Sequence, residues 1–192
     1  MKHLSSQTLF AHWNDRRGNR PAPERGEIDP SAIKVALADS FILSFNQLTN
    51  HPFRLAGTRV CALFGRELKG QGFVELWDRP KHRQINDLAA IVADEQFGIV
   101  AGAVGWTAEG FSVDLELLLL PLKHCGRTHV RLIGTLAPLA VPYWLGSSPV
   151  HAIALGAHRY LGPPGEAPSP ALPVEEGGRL RRGLLVYDGG QA

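Results

Sequence analysis

Residues 98–136 constrain the fold of this 192-residue chain more than any other stretch. Ile99 to Thr107 reads as a strand that ends at Ala108-Glu109-Gly110, a short glycine-containing link of hairpin type. Phe111, Val113, Leu115, Leu117 and Leu119 then alternate with Ser112, Asp114 and Glu116, the period of a strand with one apolar face. Pro121 is expected to end that strand, Lys123 to Thr128 to turn around Gly126, and Val130 to Leu136 to supply the next. Three strands joined by short turns make an antiparallel meander, and its apolar face needs a cover. The segment just upstream supplies one. After Pro80, Ile85, Leu88, Ala89 and Val92 fall at i, i+3, i+4 and i+7 on one helix face, leaving Arg83, Asn86, Asp87 and Asp94 to solvent.

Two more strands precede that helix. Ser40 to Asn46 alternates with Phe41, Leu43 and Phe45 on one face, Gln47 to Pro52 turns, and Phe53 to Ala56 is short and antiparallel to it. Thr58 is placed to cap a helix over Arg59 to Phe64 that Gly65 ends, and Lys69 to Asp78 reads as a loop pinned by Phe73 and Trp77. At the start of the chain, Leu9 and Trp13 lie one turn apart on a helix with Ser5 or Ser6 as cap and Gly18 as stop. A stiff polar connector follows, then a short helix with Asp29 as N-cap, Pro30 at its first position, and Ile33 and Leu37 on one face. After Leu139 the regularity fades. Gly146 to Pro149 turns, His151 to Leu161 is a short strand or an irregular wrap, Gly162 to Pro173 has linker composition, and Leu184 to Tyr187 is strand-like. The expected division is an N-terminal helical flank at 1–38, a core at 39–140, and a C-terminal extension at 141–192 with a Pro-rich linker and a basic end.

Composition narrows the function. The chain is 44% hydrophobic and 20% charged, with a net charge of +2, so no global field steers it to nucleic acid or an anionic membrane. The Arg179, Arg181 and Arg182 cluster reads as a solvated tail. Cys61 and Cys125 form no CxxC, and the N-terminus carries no apolar stretch of signal length, which points to a reduced, cytoplasmic setting. The longest apolar stretch, Leu132 to Gly146, is interrupted by prolines and falls short of the roughly 20 residues a membrane span takes. The eight histidines include no HxxxH or HExxH pair and no CxxCH, so no metal site is expected. No nucleophile elbow or phosphate loop occurs, so no catalytic residue is expected.

Specific blocks carry a family resemblance. Trp13, Arg17-Gly18, Arg20, Pro23 and Arg25 lead into Asp29-Pro30, and Phe53-Arg54-Leu55-Ala56-Gly57-Thr58 is followed by Leu63-Phe64-Gly65-Arg66-Glu67-Leu68-x-Gly70. From about residue 6 to about residue 140 the chain resembles the alphaproteobacterial PAS family once treated as a domain of unknown function. The resemblance implies an α+β, PAS-like five-stranded antiparallel sheet with helices on one face, plus an N-terminal helix and a C-terminal extension. It also implies a stand-alone sensory or regulatory domain, often linked to cell-cycle or stress control, with no established common ligand.

A PAS sensor would take a small molecule between the long helix and the inner sheet face. The residues expected to line that cleft are Leu55, Phe64, Trp77, Leu88, Val92 and Trp106, with Arg54 as polar anchor; each is also an ordinary core residue. Arg54 is expected either to bond a carboxylate such as Glu67 or main-chain carbonyls, or to meet a ligand's carboxylate or phosphate. No cofactor is specified. His82 is the position to suspect for a non-covalent haem, though it lies near the polar start of its helix, and the NCRFLQ pattern of flavin light sensors is absent. Glu116 reads as part of a solvated sheet face or as a polar rim for a helix, from this chain or a second copy. Two functions follow: a cytoplasmic signalling module that binds a small ligand, a partner protein or both, and a ligand-free adaptor that works through dimerisation.

Overall fold

The computed structural model of the chain describes residues 1–162, 178–181 and 184–187. Its elements are α1 (Leu4–Arg17), β1 (Ser40–Ser44), β2 (Phe53–Ala56), α2 (Thr58–Phe64), α3 (His82–Asp94), β3 (Gly98–Thr107), β4 (Ser112–His124), β5 (Arg127–Pro138), β6 (Val150–Leu161), β7 (Gly178–Arg181) and β8 (Leu184–Tyr187). Strands β1 to β6 form one antiparallel sheet in the order β2-β1-β5-β4-β3-β6, and β7 and β8 form a separate antiparallel pair. The sheet therefore has six strands where five are expected. The sixth is the His151 to Leu161 segment, which pairs along β3 from Gly98↔Leu161 to Thr107↔Val150. The Pro-rich stretch from residue 163 onward and Arg182 lie outside the described residues.

Two cores flank the sheet. On the inner face α2, α3 and the loop between them bury Phe41, Leu43, Phe53, Val60, Leu88 and Val92 with the inward positions of β3 to β5. On the outer face α1 buries Leu9 and Trp13 against Val100, Leu118, Leu120 and Ile133. The helix is held at its start as well as along its length. Glu116 accepts from the Lys2 and His3 N–H groups at 2.5 and 3.0 Å, the Ser6 and Thr135 hydroxyls meet at 3.0 Å, and Ser5 donates to Asp39 at 2.6 Å. Glu116 is thus a buried rim for this chain's own helix rather than part of a solvated face.

Several local expectations change for physical reasons. The N-cap of α1 is His3, whose Nδ1 accepts from Ser5 N–H, because the Ser5 and Ser6 hydroxyls are committed to Asp39 and Thr135. Residues 30–36 form turns, not a helix, closed by an Asp29 side chain that accepts from Ser31 N–H; Ile33 and Ala36 are buried there while Leu37 is exposed. Pro121 does not end β4. The β3 register ends at Ile99↔Leu119, so at Pro121 β4 has only β5 as neighbour, and the missing N–H costs no ladder bond. Its carbonyl accepts from the Trp13 indole at 2.8 Å.

Gly57, not Thr58, is the N-cap of α2, and no side chain caps that helix. The position needs glycine for space. A Cβ on Gly57 would stand 2.3 Å from the Ala38 carbonyl oxygen and 2.4 Å from that of Leu37, both backbone atoms that cannot step aside. Gly57→Ala is therefore expected to cost about 1–3 kcal/mol of stability, as overpacking does. A shift of the urea midpoint checks this, and an unchanged midpoint contradicts it.

Candidate functional site

The inner face of the sheet is covered by one contiguous buried cluster, in which aromatic rings over β1 and β2 join Ile85, Leu88, Ala89 and Val92 of α3. Phe41, Phe53 and Phe73 pack with centroids 5.6 to 5.9 Å apart, Trp77 meets Phe73 edge-on at 5.7 Å, and all four are at most 2% exposed. Of the residues expected to line a cleft, Phe64, Trp77, Leu88 and Val92 are brought together here, as buried core.

Leu55, Trp106 and Arg54 stand elsewhere. The pairing of β1 with β2 runs Leu43↔Phe53, Ile42↔Leu55 and Phe41↔Ala56, so Arg54 is the extra residue of a β-bulge. The bulge inverts the alternation after it and turns Leu55 to the outer face, 47% exposed. Trp106 shares the outward parity of Val100, two-residue steps along β3, beyond the cover of α1, and is 37% exposed. Arg54 is exposed at the bulge and does not bond Glu67, which accepts instead from Lys69 N–H at 3.0 Å and from the Cys61 thiol at 3.7 Å.

Polar groups in and beside the inner core are few. His82 Nε2 lies 2.8 Å from the Trp77 carbonyl oxygen, so a haem ligand at this position would first have to break that contact. His51 is fully buried, stacked on Phe45 at 5.0 Å, with Nδ1 accepting from Asn46 N–H at 3.1 Å. Its Nε2, the Trp77 indole nitrogen and Asn86 Oδ1 are buried without a hydrogen-bond partner among the described residues. No group of three metal-ligating side chains comes together among those residues.

Burial pushes the His51 pKa below the ordinary imidazole value, and the Asn86 carboxamide, near it but outside hydrogen-bond geometry, opposes the shift. Burial lowers His158 likewise. Such a histidine binds its proton more readily in the unfolded chain, so its contribution is intact above the ordinary pKa near 6.5 and declines as pH falls toward the folded value. The urea midpoint is expected to drop between about pH 7 and about pH 5. His51 sits at φ 53°, a conformation asparagine tolerates, and His51→Asn should flatten the drop; an identical slope in that variant would contradict the assignment.

Two clefts open on the outer face of the sheet. One, about 340 Å3, lies between the start of α1 and strands β3, β4 and β6, lined by Met1, Lys2, Gly102, Glu116, Leu139 and His158 among others. The other, about 430 Å3, lies at the β2 edge and includes Arg54 and Leu55.

The sheet order, with its helical cover and preceding helix, defines a PAS-type domain. The model of the PAS domain family matches residues 1–137, and the chain belongs to that family. Its members are generally sensory modules in signalling. No curated protein matches the sequence. Among solved structures, a light-oxygen-voltage domain studied with a flavin analogue is 13% identical over 61% of this chain and 87% of its own, with a TM-score of 0.45. The photo-excited blue-light photoreceptor Vivid is 15% identical over 67% of this chain and 93% of its own, TM-score 0.45. The PAS domain of an HTR-like protein from Haloarcula marismortui is 15% identical over 56% of this chain and 90% of its own, TM-score 0.39. Strand β6 falls outside the family match. Among the described residues no helix is long and apolar enough to cross a membrane.

Proposed function

We propose that this protein is a regulatory module of signal transduction that acts through its surface on a partner, rather than through a large cofactor held between α3 and the inner sheet face. The observation that carries this reading is the continuous buried cluster in which Phe41, Phe53, Phe73 and Trp77 join Leu88 and Val92 of α3 and Leu115, Leu117 and Leu132 of the sheet. Buried side chains in contact across that face would have to be displaced to admit a flavin or haem. The surface readout is the arrangement of α1 and its connector on the outer face, which a partner or a second copy would sense as a shift between populations.

A second reading, a sensor for a small polar molecule, is favoured by the unpartnered Trp77, His51 and Asn86 atoms, since buried polar groups ordinarily find a partner. Haemin and flavin mononucleotide titrations separate the large-cofactor case. The surface reading predicts no Soret shift and no flavin fluorescence quenching, in wild type as in His82→Ala. A stoichiometric spectral change abolished in His82→Ala would overturn it in favour of haem.

A further inference from the structure

Segments remote in sequence bring cations to one place at the β2 edge of the outer sheet face. The cleft of about 430 Å3 is lined by Arg25, Arg54, Lys69, His124 and Arg131, with Ile42 and Leu55 as an apolar floor and, among the described residues, no carboxylate in its wall. Backbone contacts fix each contributor. Lys123 N–H donates to Pro23 O at 2.9 Å and Gly126 N–H to Glu24 Oε1 at 2.9 Å, which ties the turn carrying Arg25 to the end of β4 beside His124. Gly70 N–H donates to Phe53 O at 2.8 Å, which seats Lys69 against β2, and the bulge supplies Arg54. Arg131 on β5 donates to Ser44 Oγ across the pair with β1.

Among the described residues no ion pair neutralises this group, although the Glu67 carboxylate lies close enough to Lys69 to feel its charge. Among the described residues the Arg25, Arg54 and Lys69 side chains have no hydrogen-bond or ion-pair partner. The Arg131 guanidinium is pushed below its ordinary pKa, first by burial and then by the positive charges of Arg54 and Arg25. Four permanent cations facing one cleft repel one another, and an anion with several negative charges relieves that repulsion.

We propose that this cleft binds a phosphate-bearing small ligand, with Arg54, Arg131, Lys69 and Arg25 around its phosphate groups and its apolar part on Ile42 and Leu55. Three arginines in one wall suit phosphate, whose oxygens accept paired bonds from the planar guanidinium fork. The volume lies in the usual range for small-ligand sites. Such a ligand bridges the connector that follows α1 to β2 and β5. The site is separate from the inner core and stands or falls independently of the surface-acting reading.

Calorimetric titration of the full chain with inorganic pyrophosphate and with ATP at low ionic strength tests the proposal. Both bind wild type, ATP at least as tightly as pyrophosphate. The dissociation constant rises about tenfold or more in Arg54→Ala and in Lys69→Ala, a loss of about 1.4 kcal/mol. Both residues are exposed, so these variants keep the fold. Arg159→Ala, which removes a cation beside the other cleft, leaves binding unchanged. Absence of binding, or equal weakening in Arg159→Ala, overturns the site. Citrate binding as tightly as pyrophosphate overturns the assignment to phosphate, and a single-stranded oligonucleotide binding far more tightly than ATP replaces a small ligand with nucleic acid.

Discussion

Trp13→Ala is expected to lower the unfolding free energy by about 3–5 kcal/mol, the cost of deleting a buried tryptophan. Trp13 is 2% exposed, 6.1 Å from the Phe10 ring, with the Arg17 guanidinium 5.1 Å from its own. Its indole N–H reaches the carbonyl of Pro121, which has no strand neighbour on that side. Truncation therefore opens the outer core and orphans a carbonyl together. Trp13→Phe keeps most of the packing and loses only the donor, for about 1–2 kcal/mol. Urea unfolding of the full chain measures both. A loss under about 1 kcal/mol for Trp13→Ala would mean that α1 is not docked on its own sheet in solution.

Arg59→Met should cost about 3 kcal/mol or more, because it strands a buried carboxylate. Asp39 is fully buried and accepts from Arg59 Nε at 2.7 Å, from Arg59 Nη2, and from Ser5 Oγ at 2.6 Å. One carboxylate thus joins α1, the start of β1 and α2. The two partners are not equivalent. The Arg59 side chain is 48% exposed and that of Asp39 only 1%, so water can solvate an abandoned Arg59 but not an abandoned Asp39. Asp39→Asn, which removes the charge but keeps an acceptor, should cost less than Arg59→Met. The reverse order in chemical denaturation would show that Asp39 gains access to water in solution.

What the sequence disclosed follows from how each signal is encoded. Helix α3 and strands β3 to β5 were legible because their burial is one-sided and regular, so periodicity reports it directly. Strand β6 was ambiguous because it lies at the edge of the sheet, buried mainly at Val150 and Ile153, and its pattern is diluted by glycine and exposed polar residues. Leu55 was misplaced because a bulge changes parity without leaving a mark in composition. Trp106 was misplaced although its parity was readable: it is an odd number of positions from the inward Ala101 and Ala103. Asp39 gave no signal at all, since its partners Ser5 and Arg59 lie 34 and 20 residues away. The cationic cleft was hidden for the same reason. Its residues meet only through the β2-β1-β5 neighbourhood, and of them the sequence marks only Arg54 and Leu55 as candidate ligand contacts.

Native mass spectrometry of the purified full chain, wild type and Arg54→Ala, tests most directly whether the inner face of the sheet is filled by the protein's own side chains. The account predicts that Arg54→Ala flies as the bare chain or an integer multiple of it in every preparation, because a ligand of the cationic cleft binds at least about tenfold more weakly without Arg54 and does not survive purification. A single organic adduct of constant mass and stoichiometry, retained in both proteins, would contradict it and place a ligand between α3 and the sheet.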